Sequence, residues 1–484
     1  MTSTEFAAEV LLALPYEANE QQAAVVGALS RFVADMSGEP RVFLLNGYAG
    51  TGKTSLTGAL VQTLEAVGRK CLLLAPTGRA AKVFSANAGG HPAFTIHRKI
   101  YRHTPGMQVG EFGASALNEN RMRDTVVIVD EASMIGNGDE RGGNLLEDLV
   151  TYVYAGENCR MILIGDTAQL PPVGADRSPA MKADVLRRLG LKVTAATLTE
   201  TARQARDSGI LFNATRLRRA MALAARSESE AGQDQTPPVP KLKAFPDVRI
   251  VDGEDLPEVL TNAYDRAENG PADTILITRS NRRASEYNAA IRGNVLYREE
   301  ELTRGDMLIV ARNHYFTKKV EGLDFVANGD IITVEKIYGT EVRYGLRFAD
   351  VALTIPVAGR ADVTFETKIL LDTLADPAAG LSQEAWNQLY YGIMGDEERY
   401  GDVPVADRVR CLRTDPYWGA LHVKYAYAVT CHKAQGGQWE NVFVDLSYIP
   451  DDALGMQLYR WLYTAVTRAR RRLYLIAPPG QLLD

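Results

Sequence analysis

The most constraining feature of the sequence is a glycine-rich turn at residues 47–54, GYAGTGKT, which stands between two regular elements. A short apolar run of strand type precedes it at 42–46, and a helical pattern follows over 53–67, where Gly68 is typical of a helix end. The pattern GxxxxGK[ST] in a strand–loop–helix context predicts a loop whose backbone N–H groups converge on phosphate oxygens. The chain is therefore expected to fold around a parallel α/β sheet.

Other short apolar runs repeat this strand signal along the chain. They do not alternate with polar residues, which favours strands covered by helices on both faces, as in a parallel sheet. The segment 301–413 is different, because its alternating stretches and Gly- or Asn-Gly turns predict a β-rich insertion. The pattern indicates two parallel-sheet domains, the second assembled from separated pieces of chain. The apolar runs lie at 71–75, 126–129, 161–164, 274–278, 442–446 and 473–476.

Composition excludes several classes of protein. A chain of 484 residues is too long for one hydrophobic core, so two to four domains are expected. No run of 18 apolar residues predicts a membrane span, and the acidic start of the chain does not fit an export signal. Four cysteines stand far apart without a CxxC pair, which argues against a zinc site or a disulfide framework and favours a cytoplasmic location.

The glycine-rich turn assigns chemistry to particular residues. Lys53 is placed to neutralise the β- and γ-phosphates of a nucleotide, and the Thr54 hydroxyl is placed to ligate Mg²⁺. We therefore predict a nucleotide and Mg²⁺ as cofactors. The residues expected to bind the nucleotide in this loop are Gly47, Ala49, Gly50, Thr51, Gly52, Lys53 and Thr54.

Two further strand ends carry polar side chains suited to hydrolysis. Asp130 and Glu131 follow the apolar run VVIV, so we expect Asp130 to hold Mg²⁺ through water and Glu131 to act as general base on the attacking water. Gln169 follows the run MILI and could reach a γ-phosphate or that water. A plain strand exit with a turn explains Gln169 about equally well from the residues alone.

The charge is uneven along the chain. The net charge is −6, which is not the basic bulk of a nucleic-acid coat protein. Residues 66–110, however, contain no Asp or Glu and seven Lys or Arg. A stretch of this kind is usually a solvated face, and phosphate contact is the alternative.

Seven ordered motifs resemble the RecD/Dda branch of superfamily 1 helicases. The resemblance spans about residues 15 to 480 and implies two RecA-like parallel-sheet domains, with ATP in the cleft between them and single-stranded DNA across both. It also implies a short hairpin insertion in the first domain and an SH3-like insertion in the second. The motifs are GYAGTGKT, LLLAPTGRAAKV (72–83), TIH (95–97), VDEASM (129–134), GDTAQLPPV (165–173), YAVTCHKAQGGQW (427–439) and LYTAVTRAR (462–470).

The resemblance implies further residues of the nucleotide site. Gln21 matches the glutamine that recognises adenine, with Gln22 beside it as the alternative. Arg203 and Arg468 match arginines that reach the γ-phosphate from the second domain, where they would stabilise charge on the transferred group only when both domains close. Ala202 stands where many relatives carry an adenine-stacking tyrosine, which leaves base selectivity in doubt.

The resemblance also implies a nucleic-acid path made of short polar side chains at strand ends. Such groups suit phosphates and sugars rather than base edges, so we expect binding that does not depend on sequence. Residues 100–123 lie where relatives carry a duplex-splitting pin. Phe112 is a candidate wedge, and a packed loop residue explains it at least equally well. The other candidates are Pro76, Thr77, Arg79, Thr95 and His97 in the first domain, and Thr430, His432 and Lys433 in the second.

These inferences combine into one leading interpretation and two rivals. The leading one is an ATP-dependent DNA helicase, with single-stranded DNA and duplex junctions as partners and no membrane partner. Its 5′-to-3′ direction is implied only by the resemblance. A translocase or remodeller with little unwinding is one rival, and an ATP-switched binding module with slow hydrolysis is the other. RNA as substrate, protein partners and oligomeric state stay open. The expected domains are 1–199, then 200–300 with 414–484, and the insertion 301–413.

Overall fold

The computed structural model describes the chain apart from residues 36, 102–115, 137–143, 201–207, 230–238, 358–360, 377, 379 and 451–452. Its strands are β1 Arg41–Gly47, β2 Lys70–Ala75, β3 Ala93–Thr95, β4 Thr125–Val129, β5 Arg160–Gly165, β6 Lys192–Leu198, β7 Val248–Val251, β8 Thr274–Thr278, β9 Met307–Val310, β10 His314–Val320, β11 Leu323–Val326, β12 Ile331–Arg343, β13 Leu346–Ile355, β14 Val363–Leu370, β15 Leu421–Tyr425, β16 Ala428–Thr430, β17 Trp439–Asp445 and β18 Ala469–Ile476.

The helices follow the same order along the chain. They are α1 Ser3–Leu12, α2 Glu20–Ala34, α3 Lys53–Ala66, α4 Gly78–Asn87, α5 Ile96–Ile100, α6 Leu145–Tyr154, α7 Ala183–Arg188, α8 Gly209–Ser229, α9 Leu256–Arg266, α10 Asn281–Ala290, α11 Gln383–Met394, α12 Glu397–Tyr400, α13 Val405–Cys411, α14 Cys431–Ala434 and α15 Met456–Val466. In the described part of the chain, no helix combines the length and the hydropathy needed to cross a bilayer.

The first domain is a six-stranded parallel sheet in the order β3-β2-β4-β5-β1-β6. Alternate residues of β1 enter different cores: Phe43 and Leu45 pack against α1, α2 and α3, whereas Val42 and Leu44 pack on the side of α6 and α7. Both faces of the strand are buried, which is the reason its sequence does not alternate. The expected doubly covered sheet is confirmed.

The second domain is a five-stranded parallel sheet in the order β16-β8-β17-β18-β7. Its strands come from two separated stretches of chain, one before and one after the barrel described next. Helix α15 packs against α8 and over this sheet, and its residues Leu458, Leu462 and Val466 are buried in the core. The α/β class with two RecA-like sheets is therefore confirmed.

A small closed barrel is inserted in the second domain. Strands β12, β13, β14, β15 and β9 close it, and β10 pairs with β11 in a separate hairpin. This barrel fits the expected SH3-like insertion. It extends to Tyr425, past the expected boundary at 413, because β15 pairs with β9 and β14 rather than with the sheet of the second domain.

Residues 383–411 form helices that cover one side of the barrel. Leu389 and Ile393 of α11 pack against Leu346 and Phe348 of β13. Trp386 stacks on His422 of β15, with ring centroids 5.2 Å apart and an interplanar angle of 16°. The expected β-rich insertion therefore contains a helical addition that the alternating pattern of its strands did not indicate.

The barrel also contacts the first domain. Lys82 Nζ lies 2.6 Å from Asp330 Oδ2, and Asp330 is buried. Gly78 allows the two parts to approach, since a Cβ built there would lie 1.9 Å from the Cβ of Ala327. The Arg98 guanidinium sits 4.9 Å from the Phe325 ring centroid. The barrel is therefore held at the N-terminal end of α4.

Candidate active site and nucleic-acid interface

The turn at 47–54 connects the end of β1 to the start of α3. Gly52 caps α3 with a φ of 84°, a left-handed conformation that favours glycine. A Cβ at Gly52 would lie 2.2 Å from the Tyr16 hydroxyl and 2.6 Å from Gln22 Nε2. The loop is therefore shaped by its own glycines and by side chains that precede β1.

Lys53 is the first residue of α3, and its side chain extends back over the preceding loop. Its Nζ donates to the carbonyl oxygens of Gly47 and, at 3.0 Å, Tyr48. The same Nζ is 3.9 Å from Asp166 Oδ2, at the end of β5. The ammonium group is thus held over the concave side of the turn, where a phosphate group would exchange for these carbonyl oxygens.

Asp130 and Glu131 follow β4, next to β5 in the sheet. Glu131 has a φ of 52°, an uncommon conformation for a residue with a side chain, and such strain clusters at functional sites. Burial and, second, the charge of neighbouring Asp130 together raise the pKa of Glu131 to about 7. Burial also raises the pKa of Asp130, whose Oδ1 accepts the Glu131 N–H at 2.9 Å. The pair is two carboxyl groups held in a poorly solvated place.

This donor set fits Mg²⁺. Thr54 is exposed at the first turn of α3, and Asp130 is a desolvated carboxylate at the end of β4, which β5 separates from β1. A hard divalent cation prefers oxygen ligands of these kinds and would offset the cost of burying the charge on Asp130. Thr54 and Asp130 remain the residues expected to hold the metal, which would supply charge neutralisation at the β- and γ-phosphates.

Gln169 is buried at the seam between the two domains. Its Oε1 has no hydrogen-bond partner within the described residues, and the same is true of the Ser133 hydroxyl. Both line a cavity of about 500 Å³ between the end of β5 and helices α8 and α15. An unsatisfied buried polar atom in a native structure calls for a partner, so this side chain is available to a ligand or to water.

Arg468 comes from the second domain and is buried at the same seam. Its three nitrogens donate to Thr464 O at 3.0 Å, Gly437 O at 3.2 Å and Thr467 Oγ1 at 3.2 Å. Its charge acts to lower the pKa of Glu131, which places the guanidinium within electrostatic reach of that carboxyl group. The structure therefore brings Arg468 near the acids, while its donors bond to acceptors of its own domain.

Helix α15 makes a row of bonds across the seam that the sequence did not indicate. The Tyr463 hydroxyl accepts the Ala49 N–H and donates to Asp166 Oδ2, both at 2.8 Å. One residue on, Thr464 Oγ1 accepts the Leu170 N–H at 2.8 Å. The available signal was the position of Tyr463 inside LYTAVTRAR, five residues before Arg468.

The two adjacent glutamines of α2 have different surroundings. Gln22 is buried, and its Nε2 donates to Thr51 O at 2.9 Å, so it supports the loop directly. Gln21 Oε1 accepts the backbone N–H groups of Thr199 at 2.7 Å and Glu200 at 3.0 Å, just after β6. Gln21 thus faces the link between the domains, and its role in adenine recognition stays a prediction.

Two expected site residues lie outside the described part of the chain. Arg203 falls within 201–207 and Phe112 within 102–115. The base of the insertion that contains Phe112 is described, and it is antiparallel: Tyr101 bridges Leu117, and Asn118 N donates to Ile100 O at 2.7 Å. The second arginine and the wedge therefore stay predictions.

The expected nucleic-acid residues of the first domain lie after β2 and β3. Pro76 and Thr77 follow β2, and Thr77 caps α4 by accepting the Ala80 N–H at 3.2 Å. Thr95 ends the edge strand β3, is buried and caps α5. His97 lies in the first turn of that helix, with its ring centroid 5.7 Å from that of Tyr101. These residues form one continuous end of the sheet.

The second domain repeats this arrangement. Thr430 ends the edge strand β16, and α14 follows with His432 exposed and Lys433 half-buried. Burial lowers the pKa of Lys433 to about 8, helped by the charge of Lys424. The Thr-x-His pattern at 95–97 thus recurs at 430–432, on the corresponding edge of the other sheet.

Arg79 is placed differently from its expected partners. Its guanidinium lies 4.2 Å from the centroid of the Trp439 ring, in the second domain. Burial lowers its pKa to about 10, and its Nη1 has no partner among the described residues. The side chain therefore lies in the seam between the domains, and its role in nucleic-acid binding stays a prediction.

Fold and site together define a phosphate-loop protein with two RecA-like domains. Residues 17–233 match a family described as an AAA domain, and residues 425–476 match the UvrD-like helicase C-terminal domain. The chain is 32% identical over 198 residues, 40% of its length, to the ATP-dependent RecD2 DNA helicase of Deinococcus radiodurans. It is 32% identical over 146 residues, 28% of its length, to an uncharacterized protein of Methanocaldococcus jannaschii.

The matched segments span only 23% and 12% of those two proteins. Among solved structures, a Pif1 helicase studied in unwinding forked double-stranded DNA has the same fold. It is similar with a TM-score of 0.50 and 16% identity, covering 97% of this chain and 94% of that one. These matches confirm the resemblance of the chain to the RecD-like helicases of superfamily 1 over the matched segments.

Proposed function

We propose that this protein is an ATP- and Mg²⁺-dependent DNA helicase that moves 5′ to 3′ on single-stranded DNA. The observation that carries the proposal is the composite site. Lys53 and the Asp130–Glu131 pair belong to the first domain, and Arg468 of the second domain lies within electrostatic reach of Glu131. A site built from both domains links hydrolysis to their relative movement.

The residues of the site divide the chemistry between them. Lys53 and the loop N–H groups bind the β- and γ-phosphates, and Thr54 and Asp130 hold the metal. Glu131 accepts a proton from the attacking water, which Gln169 helps to orient. Arg468, with Arg203, stabilises charge that develops on the phosphoryl group, for which its donors exchange their present backbone acceptors.

The nucleic-acid path is supported by the matching edges of the two sheets. Thr95 and His97 in the first domain correspond to Thr430 and His432 in the second, and the acid-free stretch 66–110 contributes the first of these edges. Strand-end hydroxyl and imidazole groups suit a sugar–phosphate backbone. Two such sites, one on each moving domain, allow alternate gripping of one strand.

The RecD2 relative is named as an ATP-dependent DNA helicase, which supports DNA as the substrate, and the 5′-to-3′ polarity is proposed from the resemblance of the motifs. Forked duplexes that carry only a 5′ tail or only a 3′ tail test both points. We expect ATP-dependent unwinding from the 5′ tail alone. Unwinding from the 3′ tail alone would contradict the polarity, and DNA-stimulated ATPase without strand separation would favour a translocase.

Substitution of Glu131 by the isosteric glutamine tests the motor against a slow switch. We expect Glu131→Gln to retain ATP binding and to lower the hydrolysis rate by about 10²- to 10⁴-fold, the usual contribution of a general base. Lys53→Ala is the matched control, because it should weaken ATP binding itself. Retained unwinding in Glu131→Gln would refute the assignment of the base.

A further inference from the structure

The phosphate loop already has a hydrogen-bond partner from the second domain. The Ala49 N–H, in the middle of the loop, donates to the Tyr463 hydroxyl at 2.8 Å, and that hydroxyl donates to Asp166 Oδ2 at 2.8 Å. Asp166 is buried and also lies 3.9 Å from Lys53 Nζ. One hydroxyl thus joins the loop, the end of β5 and helix α15.

Loops of this type bind phosphate by turning backbone N–H groups toward it. The neutral hydroxyl of Tyr463, at 2.8 Å, occupies the Ala49 N–H in the same way. The hydroxyl in turn donates to the Asp166 carboxylate, whose charge repels an anion. Burial raises the pKa of Tyr463 well above its usual value, so the phenol keeps its proton and remains a donor to Asp166. The arrangement is complete without a phosphate.

A second contact from the same domain lies beside the loop. The Arg218 guanidinium of α8 is 4.3 Å from the ring centroid of Tyr48 and donates to Thr199 O at 3.2 Å. Helices α8 and α15 pack together, so both contacts move as one body. The second domain therefore contacts the loop through the packed pair of helices α8 and α15. A rotation of that domain would break both contacts together.

We propose that Tyr463 is a positioning residue that competes with the nucleotide for the phosphate loop and thereby sets nucleotide affinity. The inference rests on the proposed ATP site and extends it. When phosphate takes the Ala49 N–H, the hydroxyl leaves Asp166, and one of the bonds that hold the second domain to the end of β5 is lost. Nucleotide binding and the position of the second domain are then linked through one hydrogen bond.

Tyr463→Phe in the full chain tests this competition. Without the hydroxyl, Ala49 N–H and Asp166 lose their partner, and the conformation that buries them is disfavoured. We expect the dissociation constants of fluorescent ADP and of a fluorescent non-hydrolysable ATP analogue to fall by about fivefold or more. The kcat at saturating ATP should change by less than about threefold, so that the effect falls on affinity.

Tyr459→Phe is the matched control. Tyr459 is on the same helix, one turn earlier and equally buried, and no side-chain hydrogen bond joins it to a described residue. Its removal should leave nucleotide affinity within about twofold. Thr464→Val removes a different bond across the seam, the one to Leu170 N–H, without touching the loop, and it should also leave affinity within about twofold.

Three results would overturn the proposal. Unchanged affinity in Tyr463→Phe would show that the hydroxyl does not compete. Weaker binding would show that Tyr463 supports the bound state. Equal tightening in Thr464→Val would trace the effect to general loosening of the seam. Because affinity is measured directly, these results are distinct from a failure of unwinding by the wild-type protein, which would contradict the proposed function instead.

Discussion

At the scale of single residues, two neighbours in sequence make different contacts. Gln21 and Gln22 are adjacent and chemically identical, yet Gln22 bonds to Thr51 O inside the protein and Gln21 bonds to the link after β6. The difference arises because consecutive positions of α2 point about 100° apart. The resemblance placed the adenine-recognising glutamine at Gln21 or Gln22. The packing of α2 then showed that Gln22 supports the loop and that Gln21 faces the link after β6.

This separation gives a prediction at the residue scale. Gln22→Ala removes the bond to Thr51 O and the N3 partner of the Asn19 cap of α2. We expect a loss of about 1–3 kcal/mol in the free energy of unfolding and weaker nucleotide binding. Gln21→Ala should lose less stability and should change the ratio of KM for ATP and GTP. Urea unfolding and steady-state kinetics measure both, and a reversed pattern would exchange the assignments.

At the scale of elements, the helical addition at 383–411 buries a histidine. His422 of β15 lies under Trp386, with the Arg312 guanidinium 5.2 Å from the centre of the same ring. Burial, together with the charges of Arg312, His314 and Lys424, lowers the pKa of His422 to about 3. His422 therefore stays neutral in the folded barrel between about pH 6 and pH 4, where the same histidine in the unfolded chain takes up a proton.

The sign of the pH dependence follows from this pKa. Below the unfolded pKa of 6.5 the unfolded chain binds a proton that the folded barrel does not, so stability falls as the pH falls toward 3. Between pH 6.5 and 5 the loss is about 2 kcal/mol. Melting curves at pH 7, 6 and 5 should show this, and His422→Phe should reduce the slope. An unchanged slope would refute the assignment, and His91→Gln in the first domain is the control.

At the scale of the whole molecule, three bodies meet around α4. The barrel contacts the first domain through Asp330 and Ala327. The second domain contacts the first through Trp439, whose ring packs against Arg79. Arg79 is influenced by the charges of both Asp330 and Arg468. The end of the first sheet that is proposed to bind nucleic acid therefore lies next to these contacts. A movement of the barrel or of the second domain would change them.

The Lys82–Asp330 pair provides a test of this arrangement. Lys82→Met leaves the buried Asp330 carboxylate without its cation, and we expect about 1–3 kcal/mol less stability for the contact. Hydrogen exchange should become faster in 78–84 and 323–330. Arg304→Met breaks the exposed pair with Glu335 and should have almost no effect. Equal exchange in both variants would show that the barrel is held by other contacts.

The parts of the site that sequence predicted are local. A phosphate loop needs glycines at fixed spacing between a strand and a helix, and Asp130 and Glu131 need only a strand that ends beside it. Unalternating apolar runs likewise identified the parallel strands, since strands buried on both faces have no polar side. The alternating pattern predicted the β-rich insertion, but it did not show that the barrel extends past 413 to Tyr425.

Sequence patterns therefore identify the set of elements and the chemistry of one domain's strand ends. The folded chain was needed to show that Tyr463 bonds to the phosphate loop, that Arg79 lies under Trp439 and that β15 belongs to the barrel. These contacts join residues that are hundreds of positions apart in the first two cases. Periodicity and spacing describe near neighbours, whereas the approach of two domains depends on shape and burial across the whole chain.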